Sequence, residues 1–207
     1  MVVNGWTLLF HEALIGQVKT LADACRRARR ADAKNFRSNA NVKLFAALAK
    51  LLLEIIPSDP TRPEYRQGNA LGEAYRHWFR AKFFGRFRPF FRYDSRSRII
   101  VYAWVNDERS LRQRGGKSDP YEVFRRMLAS GNPPNEWAVL VRNSDELPGE
   151  NSVDRGGRRK AGRQRRMTST SAAISSRRWW RTSGSVPGRF RRFYDRVLPK
   201  RDGDPHT

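Results

Sequence analysis

The chain has 207 residues, a formal net charge of +22 and one cysteine. The length allows one domain of ordinary size plus a tail. So strong a basic excess predicts a polyanionic partner, most simply nucleic acid, although an anionic membrane surface or an acidic protein would satisfy the same electrostatics. Cys25 alone excludes an internal disulfide and a thiolate zinc site, which fits a reducing cytoplasm. We expect neither secretion nor membrane insertion, because no signal-peptide pattern and no sufficiently apolar run is found.

Apolar periodicity predicts two helices near the start of the chain. After an extended start around Trp6, apolar residues recur at helical spacing at Leu14, Val18, Leu21 and Cys25. A wider stripe follows, formed by Leu44, Leu48, Leu51 and Ile55, and Pro57 ends it. Residues 57–74 contain three prolines and two glycines, which indicates a long connection. We expect the two helices to pack together against one face of a sheet.

Residues 78–105 predict a three-stranded antiparallel meander with turns at Gly85 and at residues 94–97. Alternating residues of its first two strands are basic, namely Arg80, Lys82, Arg86, Arg88 and Arg92. Because side chains alternate between faces, these cations are expected to share one face. No acid occurs between Trp78 and Tyr93, and a face of one sign favours an anionic ligand. The competing interpretation is a solvated outer sheet face.

The opposite face of the meander is predicted to be core. Its alternating residues are Phe79, Phe83, Phe87, Phe91, Ile99 and Val101, which the N-terminal helices would cover. On the basic face, Tyr102 and Trp104 are expected to offer exposed rings for unpaired bases. Pro89 lacks an N–H donor, so we expect either a bulge at this position or an outward-facing N–H side of the strand.

A third helix is predicted after the meander. Asp119, Pro120 and Glu122 are typical of a helix start, and Gly131 with the two prolines that follow predicts the end. Residues 136–141 are expected to form a short strand or strap.

The composition changes near residue 143. The remaining sequence is rich in Arg, Ser and Gly and has no sustained periodicity, so we predict a disordered basic tail. The chain is therefore divided into a folded domain, residues 1–142, and a low-complexity tail, residues 143–207.

Six short motifs occur in order along the folded part. They are VNGW at 3–6, FRYD at 91–94, W-x-NDE at 104–108, LR at 111–112, D-x-Y-x-VF-x-x-ML at 119–128 and G-x-PP-x-x-W at 131–137. Together they resemble the YhaV toxin family, ribonucleases of bacterial toxin–antitoxin pairs within the RelE superfamily. The resemblance covers roughly residues 3–140. It implies an α+β fold in which a small, antiparallel-rich, RelE-like sheet packs on N-terminal helices.

The resemblance also implies an activity. Members cut RNA, commonly messenger RNA at the ribosome, without a metal or other cofactor, and a cognate antitoxin, here expected to be PrlF-like, neutralises them in the cytoplasm. The residues agree with metal-free chemistry, since the sequence has no H-E-x-x-H motif, no Cys and His cluster and no acidic group suited to two metals.

Residue roles follow from the same resemblance. Attack by the ribose 2′-hydroxyl needs a proton acceptor, a proton donor and stabilisation of charge on the phosphate. We expect Lys82 to accept the proton and Arg88 to stabilise the charge, because Lys can titrate and Arg does not. Tyr121 would donate or accept a proton, and Arg112 would bind phosphate. Further RNA contacts are expected from Arg80, Arg86, Arg92 and Trp104.

Two other functions stay open from the sequence alone. One is a non-catalytic RNA- or ribosome-binding protein that uses the same basic face. The other is an interaction protein whose charge recruits an acidic partner, in which case RNA binding would be absent or insensitive to salt.

Overall fold

The computed structural model describes residues 1–110 and 116–146, which form an α+β fold. In chain order the elements are β1 (Val2–Val3), β2 (Trp6–His11), α1 (Glu12–Ala31), α2 (Ala40–Lys50), α3 (Ile56–Ser58), β3 (Phe79–Arg80), β4 (Pro89–Asp94), β5 (Ile99–Val105), α4 (Pro120–Ala129), α5 (Trp137–Arg142) and β6 (Ser144–Asp145). A π-helical turn, Leu51–Ile55, joins α2 to α3. Arg112 and residues 147–207 of the predicted tail lie outside the described residues, so the disorder of the tail and the boundary at residue 142 stay predictions.

Six strands form one mixed sheet in the order β1-β2-β5-β4-β3, and β6 pairs with β2. The predicted antiparallel meander is confirmed as β3, β4 and β5. The sequence did not predict that β2 runs parallel to β5, with Leu8 opposite Ile100. A parallel pair needs a crossover connection, and α1, α2 and α3 lie within that connection.

The N-terminal helices cover one face of the sheet, as predicted. Helix α1 buries its apolar stripe at Leu14, Val18 and Cys25. Its first turn is capped by His11, whose Nδ1 accepts a hydrogen bond from Ala13 N at 3.3 Å. The strands contribute Leu8, Phe10, Phe91, Ile100 and Tyr102 to the same core.

Helices α4 and α5 cover the other face. Helix α4 begins as predicted, because the Asp119 carboxylate accepts from Tyr121 N at 3.0 Å and Pro120 occupies the first turn. The Phe124 ring then stacks on Phe90 with centroids 4.3 Å apart and on Trp104 at 5.9 Å. The basic face of the meander is therefore not an outer face, since a second layer lies against it.

The prediction of a short strand or strap at residues 136–141 is wrong, because this segment is part of helix α5. The Glu136 carboxylate accepts from the backbone N–H groups of Ala138 and Val139 at 2.9 and 2.7 Å. These bonds satisfy two amides that a helix start leaves unpaired. Leu140 then packs into the second core.

The register of β4 and β5 corrects the predicted assignment of faces. Arg92 pairs with Val101, so even positions of β4 share a face with odd positions of β5. Val101 and Ile99 consequently face α4 and α5. The prediction that they face the N-terminal helices is wrong.

A β-bulge at Ala103 then shifts the alternation by one residue. Phe91 pairs with Tyr102 and Phe90 pairs with Trp104, which leaves Ala103 unpaired between them. Tyr102 and Trp104 therefore lie on opposite faces, and both are buried. The expectation of two exposed rings on one face is wrong, because the bulge interrupts the two-residue period on which it relied.

Pro89 is the first residue of β4. Its carbonyl accepts a hydrogen bond from Ala81 N at 3.1 Å, whereas its nitrogen carries no hydrogen and cannot donate a bond to the opposite strand. A strand start is one of the places where a sheet tolerates proline, and the predicted bulge lies across the sheet at Ala103 instead. Among the helices of the described residues, none is long and apolar enough to cross a lipid bilayer.

Removing the Tyr102 hydroxyl should destabilise the fold. Tyr102 is fully buried and donates to Leu52 O in the π-helical turn at 2.6 Å. Tyr102→Phe keeps the ring but leaves that carbonyl without its donor, so we expect a loss of about 1–3 kcal/mol in the free energy of unfolding, measured by chemical denaturation.

The matched control is Tyr93→Phe. Tyr93 is half-buried and its ring packs against Trp6 at 5.9 Å, while its hydroxyl bonds to nothing in residues 1–110 and 116–146. We expect this variant to change the free energy of unfolding by less than about 0.5 kcal/mol. Equal losses in the two variants would contradict the role assigned to the Tyr102 hydroxyl.

Mild acid should also destabilise the fold through His11. Burial lowers the pKa of His11 from its ordinary value, so the fold favours the neutral ring that caps α1. The resulting stabilisation is complete well above the unfolded-state pKa of about 6.5 and is lost as the pH falls through that value towards the folded-state pKa. We expect the thermal midpoint to fall over this window and the fall to be smaller in His11→Asn, because Asn caps helices without titrating. An identical pH profile for the two proteins would show that His11 does not carry the effect.

Candidate functional site

The β3–β4 hairpin sets Lys82 directly opposite Arg88. The hydrogen bonds that flank the pair are Ala81 N to Pro89 O at 3.1 Å and Phe83 N to Phe87 O at 3.0 Å. This register makes Lys82 and Arg88 a non-hydrogen-bonded pair, the arrangement in which cross-strand side chains lie closest together. Two like charges in such a pair repel each other, and a bound anion would relieve the repulsion.

Arg88 has little contact with solvent. Its side chain and backbone are together only 4% exposed, so the residue does not lie in open solvent. Nη1 donates to Arg86 O at 2.8 Å, and the buried Nε has no hydrogen-bond partner among the described residues. Within the same residues, Arg88 takes part in no ion pair. A buried guanidinium without a counter-charge is unfavourable, and a bound anion would supply that charge.

Asn106 fixes the backbone around Arg88 from the end of β5. Its Oδ1 accepts from Arg88 N at 2.5 Å, and its Nδ2 donates to Arg86 O at 3.1 Å and to Ser110 O at 3.0 Å. One buried amide therefore ties the hairpin to the loop that follows β5. No role was predicted for Asn106, although a polar residue directly after a buried strand was the available signal.

Helix α1 holds the same end of β5. Gln17 Nε2 donates to Val105 O at 2.7 Å, and Gln17 Oε1 accepts from Val105 N at 3.2 Å. Val105 precedes Asn106 in the chain, so α1 is linked to the surroundings of Arg88 through one peptide unit.

Arg80 and Tyr121 are brought together on the face that also carries Lys82 and Arg88. Arg80 Nε donates to Tyr121 Oη at 2.9 Å, and Arg80 Nη1 donates to Glu64 O at 2.7 Å. Tyr121 is buried, and its ring meets Phe90 edge-on at 5.7 Å. Arg80 therefore orients the Tyr121 hydroxyl instead of extending into solvent as a free RNA contact.

Arg92 is held inside the second layer. Its guanidinium lies over the rings of Trp78 and Trp137, at 5.5 and 5.2 Å from their centroids, and its Nη1 donates to Asn135 O at 2.6 Å. Burial lowers the pKa of Arg92 from its ordinary value. This cation joins α5 to the sheet at a place separate from the Lys82–Arg88 pair. Contrary to the prediction, it does not form one basic surface with that pair.

The remaining predicted RNA contacts differ in their access to solvent. Lys82 is exposed, and Arg86 is half-exposed with its guanidinium over the Phe87 ring at 5.4 Å. Trp104 is 8% exposed and is stacked between core rings, so no open ring face supports the expected stacking on a base. The basic surface at the hairpin thus consists of Lys82, Arg86 and Arg88.

Histidine and acidic residues do not assemble at this surface. His77 lies elsewhere, with a ring nitrogen 2.8 Å from Asn135 Oδ1, and burial lowers its pKa from the ordinary value. Across residues 1–110 and 116–146, no three His, Cys, Asp or Glu side chains are grouped as metal ligands would be. The groups available for chemistry at the hairpin are a lysine ammonium, arginine guanidinium groups and a tyrosine hydroxyl.

Comparison with known proteins gives one family. Residues 8–145 match a family described as a toxin with endonuclease activity, of a toxin–antitoxin system. The matched segment contains the β3–β4 hairpin, Asn106 after β5 and Tyr121 in α4, and therefore every described residue of the candidate site. No solved structure matches the chain.

Individual relatives match over nearly their whole length. The chain is 39% identical over 153 residues to the ribonuclease toxin YhaV of Escherichia coli strain K12, covering 70% of this chain and 95% of that protein. The toxin YhaV of E. coli O157:H7 matches with the same identity and coverage. The toxin YhaV of E. coli O6:H1 is 37% identical over the same lengths.

Asn106 should be needed to hold the hairpin in place. Asn106→Ala removes one acceptor and two donor contacts from a residue that is 2% exposed, and it leaves buried backbone groups unpaired. We expect a loss of about 2–4 kcal/mol in the free energy of unfolding, measured by chemical denaturation. Asn69→Ala, at an exposed position, is the matched control and should change little. A neutral Asn106→Ala would exclude this anchoring role.

Proposed function

The chain belongs to the YhaV family of toxins, which have endonuclease activity in toxin–antitoxin systems, and on this premise we propose that it cleaves RNA, without a metal, at the Lys82–Arg88 pair. The observation that carries the proposal is the pair itself: two directly opposed cations, one of them buried with an unpartnered Nε and without a counter-charge in the described part of the chain. A phosphodiester would supply both the missing charge and the missing hydrogen-bond acceptors.

The proposed reaction is an internal transfer of the phosphoryl group. The ribose 2′-oxygen forms a bond to phosphorus while the bond from phosphorus to the 5′-oxygen breaks, which gives a 2′,3′-cyclic phosphate and a 5′-hydroxyl. The 2′-hydroxyl proton passes to a base, and the departing 5′-oxygen receives a proton from an acid. No water and no cofactor enter this step.

Each residue of the site has a proposed part. Lys82 accepts the 2′-hydroxyl proton, since it is the exposed titratable group of the pair. Arg88 neutralises the charge that develops on the phosphate oxygens, because a guanidinium stays protonated and donates in a fork. Tyr121 supplies the proton for the 5′-oxygen, and Arg80 positions its hydroxyl. Arg112, outside the described residues, is proposed to bind a flanking phosphate.

The substrate and partners are proposed from the relatives. A ribonuclease toxin lowers translation by cutting messenger RNA, and we propose that this chain does so in the cytoplasm, at the ribosome, until an antitoxin of the PrlF type binds it. Membership of a toxin–antitoxin family supports an antitoxin partner and an RNA substrate.

One observation favours a second function. Arg88 is 4% exposed, so a phosphate reaches its Nε only if the neighbouring groups move. A protein that binds RNA with Lys82 and Arg86 alone, without cleaving it, would fit that burial.

A cleavage assay in the presence of a chelator separates the two functions. We expect the wild-type protein to cut a defined single-stranded RNA and to leave 2′,3′-cyclic phosphate ends, identified by mass spectrometry. Lys82→Ala should lower kcat by about 10²–10⁴-fold, because it removes the proton acceptor. Lys19→Ala, an exposed lysine on α1, is the matched control and should retain the wild-type rate.

The outcome for Arg88 must be separated from folding. Arg88→Lys keeps the charge but loses the fork, so we expect a large loss of kcat with a thermal midpoint close to that of the wild type. RNA that is bound but intact would favour the non-catalytic function. A wild-type rate for Lys82→Ala would exclude Lys82 as the base.

A further inference from the structure

Phe84 stands at the tip of the β3–β4 hairpin with much of its ring in solvent. It is 40% exposed, and in the described part of the chain only Phe84 and Val2 are large apolar residues with such exposure. Its ring lies beside that of the half-buried Phe83, with the two centroids 5.8 Å apart. Lys82 and Arg86 lie two residues away on either side.

The backbone at this tip is unfavourable for a bulky residue. Phe84 has φ +47° and Gly85 has φ +71°, so two consecutive residues are in the left-handed region. Glycine adopts this conformation freely, and Asn is the side chain that usually accompanies it in such turns. A phenylalanine pays a steric cost there and gains little burial in return. Folding stability alone therefore gives no reason for an aromatic ring at residue 84.

We propose that Phe84 is a base-stacking residue, whose ring face receives the nucleobase next to the phosphate held by Lys82 and Arg88. The inference rests on the proposed function of this hairpin. An exposed aromatic ring beside cations is the combination that holds single-stranded nucleic acid, because the ring stacks on a base while the cations bind the backbone. Phe84 is two residues from Lys82, and two residues span at most about 6–7 Å even when fully extended, which places the ring within reach of a base on a ribose adjacent to that phosphate.

The surrounding charge favours RNA over a protein as the ligand of this ring. The charged residues nearest along the hairpin are Lys82, Arg86 and Arg88, and none of them forms an ion pair within residues 1–110 and 116–146. A partner that used the ring as an apolar contact would have to bring its own acids to compensate three cations. A nucleotide brings a phosphate with each base.

The test exploits the conflict between the ring and its backbone. Phe84→Asn places a favoured residue at a left-handed position, so we expect the thermal midpoint to stay the same or rise. The same change removes the stacking surface, and we expect the Kd for a single-stranded 2′-fluoro oligoribonucleotide, which lacks the attacking hydroxyl, to rise about five- to a hundredfold. Phe84→Tyr keeps an aromatic ring and should bind the oligonucleotide as the wild type does. Val2→Asn, at the other exposed apolar residue, is the matched control and should bind as the wild type does.

A double-mutant cycle with the RNA identifies the stacked base. Each oligonucleotide of a series carries one abasic position, and binding is measured for the wild type and for Phe84→Asn. At one position the loss from the missing base and the loss from Phe84→Asn should not add, because either change removes the same contact. Additive losses at every position, unchanged binding by Phe84→Asn, or an equal loss in Val2→Asn would overturn the proposal.

Failure of this proposal can be told apart from failure of the proposed function. The oligonucleotide is not cleaved, so its Kd reports on Phe84 whether or not the wild type is a nuclease. If the wild type binds the oligonucleotide but does not cut unmodified RNA, the proposed function fails and the stacking role stands. If Phe84→Asn binds and cuts RNA normally but escapes inhibition by the antitoxin, the ring serves the protein partner and the stacking role is overturned.

Discussion

Burial of both faces of the sheet constrains where a ligand can bind. The N-terminal helices take one face and α4 with α5 take the other, so the aromatic residues of the central strands are packed between two layers. Open surface is left beyond the ends of the strands and at the hairpin tip. The candidate site lies at the hairpin, where Lys82 is exposed, Arg86 is half-exposed and Arg88 Nε has no partner among the described residues. The position of the site thus follows from the packing of the core.

The same constraint divides the arginines of the meander by environment. Where the second layer covers the sheet, Arg80 and Arg92 are half-buried, with a tyrosine hydroxyl, backbone carbonyls and indole rings as partners. A guanidinium can satisfy five donors and still lie flat against aromatic rings, which makes it suitable for both environments. Charge in the sequence therefore does not by itself identify the surface that contacts RNA.

The local features of the fold could be predicted from the sequence. The stripe of α1, the existence of α2, the cap of α4 at Asp119 and the antiparallel meander are encoded within short segments, and the structure confirms them. The features that failed depend on distant residues. The alternation at Tyr102 and Trp104 is reversed by one bulged residue, and the cover over the basic face comes from helices that follow it in the chain. The motifs were sufficient for the family, but the roles of Asn106 and Phe84 required the geometry.

The two hydrogen bonds between Gln17 and Val105 link the long first helix to the site. An amide side chain completes the end of β5 in the way that another strand would, and the next residue along the chain holds Arg88 N. A ligand that shifted α1 along its axis would therefore displace this strand end and alter the spacing of Lys82 and Arg88 without contacting either residue. Such a ligand would act on the proposed site without occupying it.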